Sequence, residues 1–300
     1  MNRHAALLSI ATLTVFLGAG EAQNPPTGTP APTPGTQNPP ALGEAVRRPA
    51  RVGPPPQAAS AAQLEFEADK LRADKSYADA IDYYRAAIKK SASAGLWNKL
   101  GITELQIGRN KDAIKSFDRA IKLNPKLAEA YNNRGAVYYI SGAQQQTLAE
   151  RAGKPVPGGA LKNYHRAVSE YQKALAITED NASYHSNLGT AFFALKEFPS
   201  AINEYARAMQ IDPEVFEHRS QTGIAAQMFS PEDRAYYSFV LARMYAKAGD
   251  LDRSLAYLRK ALEDGYKEID AVYKDQEFAV LRKDPRFAEL MSSKPLAIPQ

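Results

Sequence analysis

The 300-residue chain has no cysteine. That excludes disulfides, thiolate metal sites and a cysteine nucleophile, and leaves the redox compartment open. Histidine is scarce. His4, His165, His185 and His218 are scattered, and no two share a metal-ligand spacing such as H-x3-H. There is no G-x-S-x-G elbow, no phosphate loop and no dinucleotide fingerprint. The glycines of "PVPGG" lack the Lys-Ser/Thr that a phosphate loop needs. Carboxylate pairs such as Glu67 and Asp69 fall on exposed helix faces and read as solvated surface. Charge of one sign is also limited. The net charge is +5, with basic and acidic residues interleaved and no basic block of five. Nothing in that pattern calls for nucleic acid. Catalytic residues, metals and cofactors are therefore not expected. The one sustained apolar run, Ala5 to Gly18, is about 14 residues long, which is too short to cross a bilayer comfortably.

That run has a specific context. Arg3 precedes it, and Gly20 and Ala22 occupy the small-residue positions before a cut. Together they form the three-part pattern of a secretory signal. The expectation is a signal peptide over 1–22, export to the periplasm or beyond, and no membrane span after cleavage. Residues 23–60, with "NPPTGTPAPTPGTQNPP" and "GPPPQAAS", are rich in proline and poor in large apolar side chains. Such a segment cannot bury enough surface to order itself and reads as a disordered, semi-extended linker.

Periodicity begins beyond residue 60. The stretch Leu96 to Pro125 holds the only tryptophan, Trp97, and the spacing Ala113, Phe117, Ala120. The same A-x3-aromatic-x2-A spacing recurs at Ala80, Tyr84, Ala87; at Ala167, Tyr171, Ala174; and at Ala201, Tyr205, Ala208. Ser254, Leu258 and Ala261 form a conservative version. A second signature lies upstream at a fixed offset: Trp97, Leu100, Gly101; then Tyr131, Gly135, Tyr138; then Leu188, Gly189, Phe192; then Leu241, Ala242, Tyr245. The undisturbed copies repeat every 34 residues or so.

This pattern resembles the tetratricopeptide repeat, with Pro125 and Pro213 at its terminal proline. Glu104 stands where the repeat usually has an aromatic, Arg134 where it has leucine, and His185 where an aromatic packs. The resemblance implies an all-α, right-handed superhelical solenoid of about five helix pairs over 61–264. Small residues at Gly101, Gly135 and Gly189 would let paired helices approach, with Phe117, Tyr171 and Tyr205 filling the space. One pair cannot bury its apolar face alone, so neighbours must stack.

Two insertions interrupt the register, near 143–162 and 216–234. In the first, a leading helix over about 128–141 and a trailing helix resuming near Tyr164 would be joined by a longer hairpin projecting from one rim. In the second, Ser230 caps and Pro231 opens a new helix. The apolar "GIAAQMF" before it needs cover and is expected to pack on the solenoid. Residues 265–300 read as a C-terminal helical cap of two short helices. Asp275 and Asp284 would cap them, and Phe278, Leu281, Phe287 and Leu290 would cover the last pair. The segment is similar to the end-of-group helices that close many bacterial arrays.

In this architecture the first helix of each pair lines a concave groove. The residues expected to line it are Asn98, Ile102, Asn132, Asn133, Tyr139, Ser186, Asn187, Thr190 and Phe193. Asparagine amides can donate to and accept from an extended peptide, and aromatics supply pockets. The competing role for each asparagine is a hydrogen bond between helices at a repeat junction. Lys99 and Arg243 are isolated cations that do not repeat in register, which argues against a clamp for a terminal carboxylate. The expected function is non-catalytic binding of a protein or extended peptide by a scaffold or adaptor of a bacterial cell envelope. Two alternatives stand beside it. One is an accessory subunit or cryptic enzyme acting on envelope polymers. The other is a structural solenoid whose groove is filled by its own 214–229 segment.

Overall fold

The computed structural model describes residues 52–217 and 231–293. The expected signal peptide, residues 23–51 of the proline-rich linker, "GIAAQMF", the cap at Ser230 and the last seven residues lie outside the described residues. The end of the expected disordered linker, from Val52, instead lies along the second helix, where the Gly53 and Gln57 carbonyls accept from Tyr83 at 3.4 Å and Lys90 at 2.7 Å.

Among the described residues, ten helices form five antiparallel pairs. The leading helices are α1 (Ala61–Ala73), α3 (Ala94–Gln106), α5 (Ala128–Arg151), α7 (Ala182–Ala194) and α9 (Pro231–Ala248). Their partners are α2 (Tyr77–Lys90), α4 (Asn110–Leu123), α6 (Gly158–Ile177), α8 (Phe198–Ile211) and α10 (Leu251–Glu263). Among the described residues there is no strand. α3 touches α5 and α5 touches α7, closer approaches than those between trailing helices. The leading helices therefore occupy the inner side of a solenoid and the trailing helices the outer side.

Local chemistry sets the helix ends. Ser60 and Gln63 form a reciprocal capping box at α1, with bonds of 3.2 and 2.8 Å. Ser93 accepts from the Leu96 amide at 3.1 Å, and Asn181 from the Tyr184 amide at 3.0 Å. The turn inside a pair needs one left-handed residue. Gly108 and Gly249 supply it without strain at φ 74° and 82°, whereas Lys75 and Lys196 adopt it at φ 61° and 63° despite their side chains.

Packing within pairs follows the small-against-large rule. A Cβ on Gly101 would lie 2.7 Å from the Phe117 ring, one on Gly135 would lie 2.8 Å from Tyr171, and one on Gly189 would lie 2.6 Å from Tyr205. Those separations are shorter than any carbon contact, so glycine is what allows the helices to meet over the ring. Ala113, Ala120, Ala167, Ala174, Ala201 and Ala208 are fully buried on the trailing helices.

The first insertion is absorbed into the third pair. Its leading helix does not stop at Ser141: α5 has 24 residues where α3 has 13, an extension of about 16 Å at 1.5 Å per residue. α6 starts at Gly158, ahead of the expected Tyr164, so only 152–157 remain as a turn. The added length packs by the rule already in use. Gly142 meets the Tyr164 ring, where a Cβ would sit 2.9 Å away, and these residues lie one heptad beyond Gly135 and one before Tyr171. Tyr164 donates from its hydroxyl to the Gln146 side chain at 2.7 Å, closing the extension.

The tail differs from the expected pair of helices. Residues Ile269–Tyr273, Gln276–Phe278 and Leu281–Lys283 form three short 3-10 turns, and only α11 (Pro285–Ser293) is α-helical. A run of brief turns with Asp275 between the first two does not sustain a longer helix. Asp275 and Asp284 do accept from backbone amides at 3.0 and 2.9 Å. Phe278, Leu281, Phe287 and Leu290 are buried in one cluster with α9 and α10.

Candidate functional site

The groove residues expected from the sequence lie together on the inner helices, most of them beneath the surface. Asn98 on α3, Asn132 and Asn133 on α5, and Asn187 on α7 are buried. They form one directional chain of hydrogen bonds. Asn187 Nδ2 donates to Asn132 Oδ1 at 2.8 Å, Asn132 Nδ2 to Asn133 Oδ1 at 3.3 Å, and Asn133 Nδ2 to Asn98 Oδ1 at 3.1 Å. This ladder ties three leading helices together, the helix-to-helix role that competes with ligand contact. Buried amides need such partners, because an unpaired one is costly.

The other members divide in the same way. Tyr139 is buried with its ring 5.5 Å from that of Tyr164. Phe193 is fully buried and packs edge-on to Phe198 at 5.0 Å. Thr190 is buried, bonding back to the Ser186 carbonyl at 2.9 Å and receiving the Tyr205 hydroxyl at 3.3 Å. Ile102 and Ser186 keep partial exposure, as does Lys99, one turn before Ile102 on α3. Lys99 donates to Glu65 at 2.8 Å and Asp69 at 2.6 Å on α1. Burial pulls the ammonium down, but these two carboxylates outweigh it and hold the pKa above the ordinary lysine value. The inner face thus consists of a buried amide floor with Lys99, Ile102 and Ser186 left reachable above it.

The three positions that depart from the repeat pattern, Glu104, Arg134 and His185, are each paired with a side chain on a trailing helix. Glu104 is buried, accepting from Arg85 at 2.8 Å and from the Ser116 hydroxyl at 2.7 Å. Arg134 reaches Glu170 through two nitrogens at 2.9 and 2.5 Å, and Asp118 through a third at 2.5 Å. Sequence reasoning noted the departures and missed the partners. The signal was the complementary charge on the trailing helices, Arg85 on α2 and Glu170 on α6.

The rear of the solenoid is aromatic. Phe193 meets Tyr236 at 5.4 Å, Tyr205 meets Tyr237 at 5.5 Å, and Phe239 stacks on Tyr266 at 4.6 Å. Phe216, from the start of the 214–229 segment, packs against Tyr205 at 5.5 Å. Two clefts open here. One of about 660 Å³ includes Phe198, Tyr236, Phe239 and Tyr266, and one of about 600 Å³ includes Ile202, Met209, Met244 and Tyr245. Arg243 borders both and lies 3.6 Å from Asp275.

His185 occupies its expected packing position. Its Nδ1 is 2.6 Å from a Glu204 carboxylate oxygen and its Nε2 is 3.0 Å from the Glu179 carbonyl. Among the described residues no group of three potential ligands is placed to hold a metal, and no helix is long and apolar enough to cross a membrane.

Family models agree with this construction. The TPR repeat model matches residues 101–142 and 160–196, and a tetratricopeptide repeat model matches 240–268. Those matched stretches are tetratricopeptide repeats. Similar chains include the photosystem I assembly protein Ycf3 of Rippkaea orientalis (strain PCC 8801 / RF-1), 28% identical over 115 residues, covering 37% of this chain and 62% of that protein. Another is the small glutamine-rich tetratricopeptide repeat-containing protein 2 of Mycosarcoma maydis, 27% identical over 124 residues, with 41% of this chain and 30% of that protein covered. The chain thus spans less than two thirds of either relative. Among solved structures, TTC0263, a thermophilic TPR protein of Thermus thermophilus, is 20% identical, with a TM-score of 0.45 over 78% of this chain and all of that one.

Proposed function

We propose that the protein is a non-catalytic scaffold of the cell envelope that holds an extended segment of a partner protein along its inner face. One observation carries this reading: the asparagine ladder fixes three leading helices relative to one another, so the surface above it is set before any partner arrives. A rigid surface loses little freedom on binding. In this reading Lys99, Ile102 and Ser186 contact the partner. Asn98, Asn132, Asn133, Asn187, Thr190, Tyr139 and Phe193 hold the floor beneath them. Repeats of this kind, and a curated relative named for its role in assembly, support the coarser statement of a protein-interaction role. Nucleic acid is not a partner in this proposal. The segment 1–22 directs export and is removed, 23–60 serves as a linker, and 265–300 closes the rear of the array.

The test uses the missing cysteine. Single Ile102→Cys and Ser186→Cys chains carry a photocrosslinker on the inner face, and Gln172→Cys carries it on the outer face of α6. The same partner, crosslinked from 102 and 186 and not from 172 in living envelopes, supports the proposal. Equal yields from all three, or a yield from 172 alone, would remove it. N-terminal sequencing of chain recovered from the envelope should begin at Gln23; recovery of chain beginning at Met1 would refute cleavage.

A further inference from the structure

The whole-chain charge of +5 hides its distribution. From Arg85 to Lys126 ten lysines and arginines stand against three acids, so this stretch alone carries +7 and the remainder of the chain is slightly acidic. Nine of the ten are exposed; the tenth, Lys99, turns toward α1. Seven of the ten lie on the trailing helices α2 and α4, so the charge gathers on the outer side of the solenoid, away from the asparagine ladder.

A cleft of about 710 Å³ opens there, with Arg85 and Lys89 of α2, Lys115 and Arg119 of α4, and Trp97 and Leu100 of α3 among its lining. Its acids are already engaged. Glu104 is held by Arg85 and Ser116, Asp118 by Arg134 at 2.5 Å, and Asp112 lies 3.4 Å from Lys115. Lys89 and Arg119, one from each trailing helix, form no ion pair among the described residues. Two available cations thus flank a partly apolar cleft that contains the only tryptophan.

We propose that this cleft docks an acidic peptide segment with an apolar anchor. The anchor rests on Trp97 and on Ile88 of α2, both partly exposed in the cleft, and carboxylates on either side of it pair with Lys89 and Arg119. Two features favour a peptide over other polyanions. The cleft places apolar surface, Trp97 and Ile88, between its two available cations, and a uniformly charged phosphodiester backbone has no apolar group to set there. The site is also concave, whereas a flat anionic bilayer engages a protruding surface. Charged and apolar groups interleaved in one cleft match a chain that carries both. This site is separate from the inner face, and neither proposal depends on the other.

Trp97 is its own reporter, because no other residue contributes tryptophan emission. The full chain is titrated with a 12-residue probe, Glu-Asp-Phe-Glu-Asp-Leu repeated twice, and with the same probe carrying Gln and Asn in place of its acids. The acidic probe should change Trp97 emission saturably and the neutral one should not. Raising salt from about 50 to about 500 mM should weaken binding about tenfold or more, since the charges sit in water and screen readily. Lys89→Glu with Arg119→Glu should weaken it by a similar factor. Lys89→Gln with Arg119→Gln, a milder pair that guards against a folding defect, should give an intermediate loss. Lys162→Glu with Lys267→Glu makes the same change in net charge elsewhere and should leave binding within about twofold. Equal loss in this distant pair, or no response to the acidic probe, would overturn the proposal. So would saturation at lower concentration by a single-stranded oligonucleotide or by phosphatidylglycerol vesicles.

Discussion

In the third and fourth helix pairs, a glycine on the leading helix lies directly over a tyrosine ring on its partner, and the asparagine ladder ties α3, α5 and α7 together. At the junction with the fifth pair, Phe193, Phe198, Tyr205, Tyr236 and Tyr237 fill the space. Glycine against a ring admits one spacing only, and directed amide bonds add register between neighbouring pairs. Aromatic side chains give large burial with little directional constraint. The two regions gain cohesion from different sources, so substitutions should affect them differently.

The largest effect is expected at the rear. Phe278 is fully buried and its ring lies 5.5 Å from Phe239. Phe278→Ala should destabilise the fifth pair by about 3–5 kcal/mol. Urea denaturation followed by hydrogen exchange should show α9 and α10 opening early while α3 to α8 stay protected. Loss of protection throughout would make the array one cooperative unit.

The ladder comes next. Asn132→Ala removes the acceptor of Asn187 and a donor to Asn133, and should cost about 1–3 kcal/mol for buried amides left unpaired. The loss should register in α5 and α7 and spare α9. An effect below about 0.5 kcal/mol in denaturant titration would mean that apolar packing alone sets the register.

Glu170→Ala should also cost about 1–3 kcal/mol, because Arg134 is largely buried and keeps only Asp118. Replacing Arg134 and Glu170 together by leucine should recover most of that loss, since a well-packed apolar pair substitutes for a buried ion pair. A double variant as unstable as the single one would assign the pair a role beyond cancelling charge.

The tyrosines provide a test by pH. Burial pushes Tyr184, near the ladder, and Tyr245, in the rear cluster, up to about 12. A phenol whose folded pKa lies above its unfolded value, about 10, favours the folded state fully below that value. The contribution is lost as pH rises through the folded pKa, so stability should fall between pH 10 and pH 12 on both sides of the aromatic junction. Flat stability across that window would show that these phenols are solvated. The smallest effect belongs to Tyr171. Its hydroxyl is buried without a hydrogen-bond partner, so Tyr171→Phe should be neutral or slightly stabilising, within about 1 kcal/mol.

Much of this architecture is legible in the residues themselves. The spacing of Ala113, Phe117 and Ala120 and the place of Gly101 define the pairs, because glycine, alanine and ring positions are dictated by contacts within one repeat. The reach of the third hairpin was harder to see. Its signal, Gly142 and Tyr164 one heptad from Gly135 and Tyr171, becomes visible only when two helices are read in opposite directions. The tail departs from the expected pair of helices because brief 3-10 turns and a short helix share the same aspartate caps and apolar spacing. At the inner face the sequence located the asparagines but could not tell a surface amide from a buried one. That distinction depends on contacts such as Asn187 to Asn132, 55 positions apart. The pairing of Glu104 with Arg85 was hidden for a related reason, since a charge off the pattern reads as surface until its partner on the adjoining helix is known.

Native-state hydrogen exchange across a urea series tests most directly whether the ladder makes the inner face one rigid unit. The amides of α3, α5 and α7 should open together at a single free energy above that of α9, and Asn132→Ala should uncouple α7 from α3 and α5, which the Asn133–Asn98 bond still joins. Independent opening of α3, α5 and α7 already in the native chain, or unchanged coupling in the variant, would contradict the preformed surface on which the binding proposal stands.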